Sequence, residues 1–209
     1  MKKTKKFYVV WKGHKTGIFT NWDECSAQVA GYPDAEYKAF DSLAAAQEAF
    51  HGKYEDYRGK FVSGLSQQRL AKIGQPIRAS YSVDAACTGN PGPMEYRCVH
   101  TGTREEIFRQ GPFENGTNNI GEFLAIVHAL ALFGKKNIAL PIYSDSENAI
   151  AWVYAKKCKT DLPRNDKSAE LFVLIDRAEK WLASSEFTNK ILKWETEAWG
   201  EIPADFGRK

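Results

Sequence analysis

Two apolar, strand-length runs in the last two-thirds of the chain each end on an aspartate. Tyr81-Ser82-Val83 leads into Asp84, and Ala139-Leu140-Pro141-Ile142-Tyr143 leads towards Asp145. Between them Glu122 opens a long helical pattern after Thr117-Asn118-Asn119-Ile120-Gly121, and a fourth acid, Asp205, follows Trp199 by six residues. Strand, helix and strand with acids at the junctions demand a sheet covered by helices. A carboxylate packed beside apolar strand residues costs free energy unless a cation neutralises it. Two strand ends and a helix start, converging, can hold a pair of divalent cations.

The remaining periodicity extends this frame. Strands are expected at 79–84, 94–100, 104–109, 139–144 and 190–194, and helices at 120–133 (ended by Gly134), 147–157 and 168–184. In the last helix Leu171, Leu174, Ile175, Ala178 and Leu182 recur at helical spacing and should form its buried face. Three strands followed by alternating helices and strands imply a mixed sheet with helices on its faces. A smaller unit precedes it. Residues 6–11 and 16–19 read as strands about a turn at Lys12-Gly13-His14-Lys15. Asn21 can cap a helix with Glu24 in a capping-box arrangement, and Gly31 ends it. Residues 35–40 alternate like a strand, and Asp41-Ser42 precedes a helix from Leu43 to Phe50 that Gly52 stops. Residues 52–78 lack clear periodicity and read as a linker, with a short helix near 65–73. The expected division is 1–51, a linker over 52–77, and 78–209.

Charge is unevenly spread. Residues 1–80 carry thirteen Lys/Arg against eight Asp/Glu, a net +5, and residues 81–209 carry sixteen against eighteen, a net −2. A basic front and an acidic back suit a chain that grips phosphates with one part and binds cations with the other, although scattered solvated charges give the same tally. Cys25, Cys87, Cys98 and Cys158 show no CxxC pair and no zinc spacing, and read as reduced thiols of a cytoplasmic protein. No stretch approaches the roughly 20 apolar residues of a membrane span, and the apolar run after the basic N-terminus is too short for a signal peptide.

The flanks of the acids carry a resemblance. Asp84 continues as Asp-Ala-Ala-Cys-Thr-Gly-Asn-Pro-Gly-Pro, Glu122 follows Gly-Thr-Asn-Asn, Asp145 sits in Tyr-Ser-Asp-Ser-Glu-Asn-Ala, and Asp205 lies in Trp-Gly-Glu-Ile-Pro-Ala-Asp-Phe-Gly-Arg-Lys. Together these resemble a type 1 ribonuclease H of the bacillus-type branch over residues 78–209. Residues 5–50, with Phe-Tyr-Val-Val-Trp-Lys-Gly-His-Lys-Thr-Gly-Ile-Phe, resemble the RNA·DNA hybrid-binding domain found at the N-terminus of many such enzymes. The implied fold is α/β, a ribonuclease H-like mixed five-stranded sheet with flanking helices, preceded by a small α+β (ββαβα) hybrid-binding domain. The implied activity is endonucleolytic hydrolysis of the RNA strand of an RNA·DNA hybrid duplex, giving 5′-phosphate and 3′-hydroxyl ends. Two Mg²⁺ ions, with Mn²⁺ able to substitute, would be held by Asp84, Glu122, Asp145 and Asp205, and Glu201 would stand where other relatives place a mobile histidine. A monomer is expected.

The same resemblance assigns substrate contacts. Asn90 and Asn118 would read the RNA 2′-hydroxyl, Thr117 and Asn119 would hold a DNA phosphate, and Arg208 a backbone near the metals. Glu147 stands where the branch has Gln. In the front domain Trp22 and Tyr37 would pack against deoxyribose, with Lys38 and Lys15 on phosphates; Ala39 replaces the usual second lysine. Each residue also has a plain structural account. Asp84 could cap a turn, Glu122 could favour a first helical turn, and Asp145 could cap the next helix. Glu201 could be a solvated acid, Asn118-Asn119 turn chemistry, and Trp22 and Tyr37 the core of a small domain. Competing functions are a strand-transfer nuclease or junction resolvase of the same fold, and a hybrid-binding protein with a dead nuclease domain, which would lack a metal ligand.

Overall fold

A computed structural model describes residues 6–207. The chain divides into two compact units, one made of residues up to Gln75 with Glu197–Gly200, the other of Pro76–Thr196 and the residues from Glu201 on.

The first unit is built on a three-stranded antiparallel sheet of β1 (Phe7–Lys12), β2 (Gly17–Phe19) and β3 (Glu36–Phe40), in the order β2-β1-β3. Two helices, α1 (Trp22–Val29) and α2 (Leu43–His51), complete the ββαβα pattern. Asn21 caps α1 by accepting from Glu24 N at 2.8 Å, but Glu24 reaches back to Thr20 N, one residue short of a closed capping box. Ser42 caps α2 through Ala45 N. The core is small: Val9, Phe40, Ala46 and Ala49, with Trp11, Ile18, Tyr57 and Val62 packed on it. Trp11 donates its indole N–H to the carbonyls of Ala49 and Gly52, both at 3.1 Å, and stacks on Tyr57. Residues 52–77 therefore do more than bridge. They carry α3 (Tyr54–Tyr57) and α4 (Gln67–Ile73), and their aromatic and aliphatic side chains extend a core too small by itself.

The second unit holds a five-stranded mixed sheet of β4 (Tyr81–Cys87), β5 (Gly92–His100), β6 (Glu106–Gly116), β7 (Ile142–Ser144) and β8 (Ile191–Lys193) in the order β6-β5-β4-β7-β8. The first three pair antiparallel, and β7 and β8 join parallel. Its helices are α5 (Asn118–Lys135), α6 (Glu147–Tyr154) and α7 (Ala169–Ser184); three of the four residues of the short α8 (Thr196–Trp199) are counted with the first unit. Ile120, Phe123, Ile126, Leu130 and Phe133 of α5 are buried in the core that Leu171, Ile175, Ala178 and Leu182 of α7 also enter. Among the described residues no helix is long and apolar enough to cross a membrane.

Several boundaries differ from the sequence expectation. Asp84 lies inside β4, not at its end, because β4 stays paired with β5 through Cys87↔Met94. The strand after α5 begins at Ile142 and not at 139: Pro141 has no N–H to donate, although its carbonyl accepts from Tyr81 N. Gly134 does not end α5, which runs on to Lys135; open space surrounds this glycine and no left-handed turn begins there. The strand expected at 104–109 runs over 106–116, its irregular register absorbing Gly111-Pro112.

Candidate active site

The site forms where β4, β7 and the start of α5 meet. β4 and β7 are parallel neighbours, so the middle of β4 lies beside the C-terminal end of β7. Asp84 rises from β4, 8 % exposed, and Asp145 follows the last residue of β7. Glu122 comes from the second turn of α5. A Cβ on Gly121 would lie 2.6 Å from Ala85 Cβ and 2.6 Å from Met94 Sδ, so only glycine lets α5 lie this close to β4 and carry Glu122 inward. Carboxylate oxygens of Asp84, Glu122 and Asp145 lie within 4.8 Å of one another. A cleft of about 260 Å³ is lined by these three with Asp205, Phe206, Asn118, Thr88 and Cys87.

The local structure sets aside two of the plain accounts. Ser146, not Asp145, caps α6, its hydroxyl accepting from Ala149 N at 3.2 Å. Thr117 caps α5 by accepting from Ile120 N, so Glu122 is beyond the first turn. Neither carboxylate serves its helix end.

The electrostatics are unfavourable as they stand. Burial, then Asp145, Glu122 and Asp205, pushes Asp84 up to about 8, against a backbone hydrogen bond from Ala85. Burial also pushes Glu122 up to about 7, helped by Asp145 and opposed by a hydrogen bond with Ser146. Asp145 is raised too, chiefly by burial, with Lys193 of β8 opposing and Glu201 and Asp205 adding to the rise. Asp145 Oδ1 is fully buried and has no hydrogen-bond partner among the described residues. Asp84, Glu122 and Asp145 could hold a hard cation, which would neutralise the clustered acids and give the orphaned oxygen a partner.

The other expected residues are spread more widely. Glu201 is exposed but close enough to raise Asp145. Asn118 lines the cleft, Asn119 is exposed one residue on, and Asn90 is exposed in the turn after β4. Glu147 is exposed at the first position of α6. In the first unit Trp22 and Tyr37 are 46 % and 39 % exposed, with ring centroids 5.8 Å apart, and Tyr8 lies 5.6 Å from Trp22. They form a surface aromatic group and are not the core. Lys15 is exposed, whereas Lys38 donates its ammonium to the Lys60 carbonyl at 2.6 Å and is lowered by burial, so it is less open to phosphate than its position in β3 suggests. Arg208 lies outside the described residues.

Residues 6–50 match the ribonuclease H1 N-terminal domain family, and residues 79–196 match the RNase H family. Ribonuclease H of Schizosaccharomyces pombe is 52% identical over 253 residues, covering 96% of this chain and 95% of the relative. The chain belongs to the ribonuclease H family. Ribonuclease H1 of Homo sapiens is 53% identical over 73 residues, 31% of this chain and 25% of that protein. The crystal structure of RNase H1 from the halophilic archaeon Halobacterium salinarum NRC-1 aligns with a TM-score of 0.38 at 21% identity, covering 55% of this chain and 83% of that one. This ribonuclease H is therefore a nuclease with both a front domain and a catalytic-type domain, and its RNase H match contains Asp84, Glu122 and Asp145.

Four contributors escaped the sequence reading. Gly121 sets the helix-to-strand approach, Ser146 hydrogen-bonds Glu122, and Lys193 opposes the charge on Asp145. Arg97 of β5 binds the segment that carries Asp205, donating from Nε to the Ala204 carbonyl at 2.8 Å and from Nη2 to the Asp205 carbonyl at 2.6 Å. Gly121 offered a signal, a glycine among apolar helix positions. Arg97 offered none, because the partners that tie it to the Asp205 segment are backbone atoms more than a hundred residues away.

Proposed function

We propose that this ribonuclease H hydrolyses the RNA strand of RNA·DNA hybrids endonucleolytically, using two divalent ions, Mg²⁺ by preference with Mn²⁺ as substitute, and leaves 5′-phosphate and 3′-hydroxyl ends. The observation that carries the reading is the orphaned, buried Oδ1 of Asp145 within a triad whose oxygens lie within 4.8 Å of one another. Asp84, Glu122, Asp145 and Asp205 would hold the ions, which when bound activate a water and stabilise the leaving oxygen. The chain's own groups do the rest. Asp84 and Asp145 supply charge from a rigid sheet, so the site is organised before substrate arrives. Asn118 at the cleft edge and Asn90 in the β4–β5 turn offer side-chain amides that can donate to or accept from a 2′-hydroxyl. Thr117 and Asn119, with Arg208, are the candidates for backbone phosphates, and Glu201 for opening the site to product.

The front domain would bind the hybrid without cutting it. Trp22 and Tyr37 present aromatic faces to sugars and bases, and Lys15 and Lys12 add positive charge. We assign residues 1–51 to hybrid binding, 52–77 to the connection and 78–209 to catalysis, in a cytoplasmic monomer. The test is cleavage of labelled RNA·DNA, RNA·RNA, DNA·DNA and single-stranded RNA, each with Mg²⁺ and with EDTA. Cutting confined to the RNA of the hybrid and abolished by EDTA is expected; equal cutting of DNA duplex would refute the proposal.

A further inference from the structure

A row of charged residues crosses three strands of the second unit. Asp84 of β4 stands opposite Arg97 of β5, and Arg97 opposite Arg109 of β6. Residues paired across strands share a face, so a carboxylate raised by its surroundings has a guanidinium as its direct neighbour. Yet among the described residues no hydrogen bond or ion pair joins Arg97 to Asp84. Its donors go elsewhere: Nε to the Ala204 carbonyl, Nη2 to the Asp205 carbonyl, and Nη1 to Glu106 at 3.4 Å. Its guanidinium also lies 4.7 Å from the Phe206 ring centroid, with that of Arg109 at 5.2 Å from the same ring. One side chain thus touches three consecutive residues of the segment that carries the fourth acid of the cleft.

We propose that Arg97 is a positioning residue that fixes the Asp205 carboxylate at the cation site by gripping the backbone on either side of it. This rests on the two-ion reading given above. The buried side chains of Ile202 and Ala204 anchor the segment to the fold, and Asp205 N donates to the Ile202 carbonyl. Gly207 N also donates to Asp205 Oδ2 at 2.8 Å, which orients the carboxylate within the segment, so what Arg97 adds is the placement of the segment's backbone relative to β5. The planar guanidinium sets it, because two donors in fixed relation bind two successive carbonyls. A lysine at this position keeps the charge but lacks the fork. Phe206 lines the cleft beside both arginines, but only Arg97 also reaches the backbone of Asp205.

The test compares Arg97→Lys, Arg97→Met and Arg109→Ala with the parent full-length protein. Two quantities are read in each: hydrogen exchange in the 202–207 segment without metal, and the Mn²⁺ concentration giving half-maximal cleavage, with hybrid KM and thermal midpoint alongside. For Arg97→Met we expect faster exchange confined to the segment and a half-saturating Mn²⁺ concentration raised on the order of tenfold, the scale on which supporting residues tune metal sites, with hybrid KM little changed. Arg97→Lys should fall between Arg97→Met and the parent, and Arg109→Ala, which touches Phe206 but not the Asp205 backbone, should leave the Mn²⁺ dependence in place. An unchanged Mn²⁺ dependence in a folded Arg97→Met protein overturns the proposal, as does full rescue by lysine. If Arg97→Met does not fold, the lysine variant decides by the same two readings. A parent protein that cuts hybrid equally well in EDTA would instead overturn the two-ion reading itself, so the two failures are distinct.

Discussion

Gly121 and Ala85 meet across the α5–β4 interface with no room for a methyl group: a Cβ on the glycine would sit 2.6 Å from the alanine's own Cβ. Met94 Sδ lies equally near but belongs to a flexible side chain that can yield, whereas the Ala85 Cβ moves only with its strand. Gly121→Ala should therefore lift the start of α5, costing about 1–3 kcal/mol as overpacked cores do. Glu122 is the next residue, so the loss should appear in kcat as well as in the thermal midpoint. A variant with both values unchanged would show that α5 can settle elsewhere at no cost.

Asp145→Asn should abolish cleavage and leave hybrid binding nearly intact. The amide keeps the shape of the side chain and loses the charge that draws a cation to its buried oxygen. Because Ser146 already caps α6, the substitution removes no helix cap, and the fold should hold. Circular dichroism, hybrid affinity and turnover measured on one preparation check this; substantial turnover by the folded variant would remove Asp145 from the cation site.

The clustered acids should make the metal-free protein sensitive to rising pH. Asp84 at about 8 and Glu122 at about 7 in the folded state both lie above their ordinary values of 3.8 and 4.5. The folded state thus holds more protons than the unfolded one between about pH 4 and 8. Stability from these groups is fully present below that window and is lost as pH climbs through it. In EDTA the thermal midpoint should fall between about pH 5.5 and 8.5, and Mg²⁺ should restore it more at the higher pH. Asp84→Asn should flatten the slope and gain at least about 1 kcal/mol at high pH without metal, or about 2–4 °C for a domain of this size. A metal-free midpoint that rises across the same range would contradict the assignment.

Trp22→Ala should weaken hybrid binding by about 1–3 kcal/mol, the range for one aromatic stacking contact. The indole is 46 % exposed and outside the small core, so secondary structure should survive. Titration of labelled hybrid at two salt concentrations, beside DNA duplex, gives the comparison; an unaltered affinity would place the binding surface elsewhere.

Much of this was legible because the signals are local. The alternation over residues 35–40, the caps Asn21 and Ser42, and the helical spacing of Leu171 to Leu182 each lie within a few residues of what they specify. Asp84, Glu122 and Asp145 stand out because acids beside apolar runs need a reason. What was missed depends on distant partners. The reach of β4 past Asp84 comes from pairing with β5, the length of β6 from bulges that accommodate Gly111-Pro112, and the task of Arg97 from carbonyls that only the folded chain brings near. The plain account of Trp22 and Tyr37 as core failed for a similar reason. Tyr57 and Val62, in a stretch without periodicity, supply the packing that those rings would otherwise have given.

The triad is also a checkpoint on its own synthesis. Asp84, Glu122 and Asp145 come from a central strand, a helix and a parallel strand, and approach one another only after α5 has seated against Ala85 and β7 has paired with β4. A chain that is collapsed but mispaired, or opened by heat at that helix, has its acids scattered and holds no site. Chemistry that needs all three acids together is thereby withheld from mispaired and heat-opened copies without any inhibitor, because only the assembled fold brings them within reach of one another.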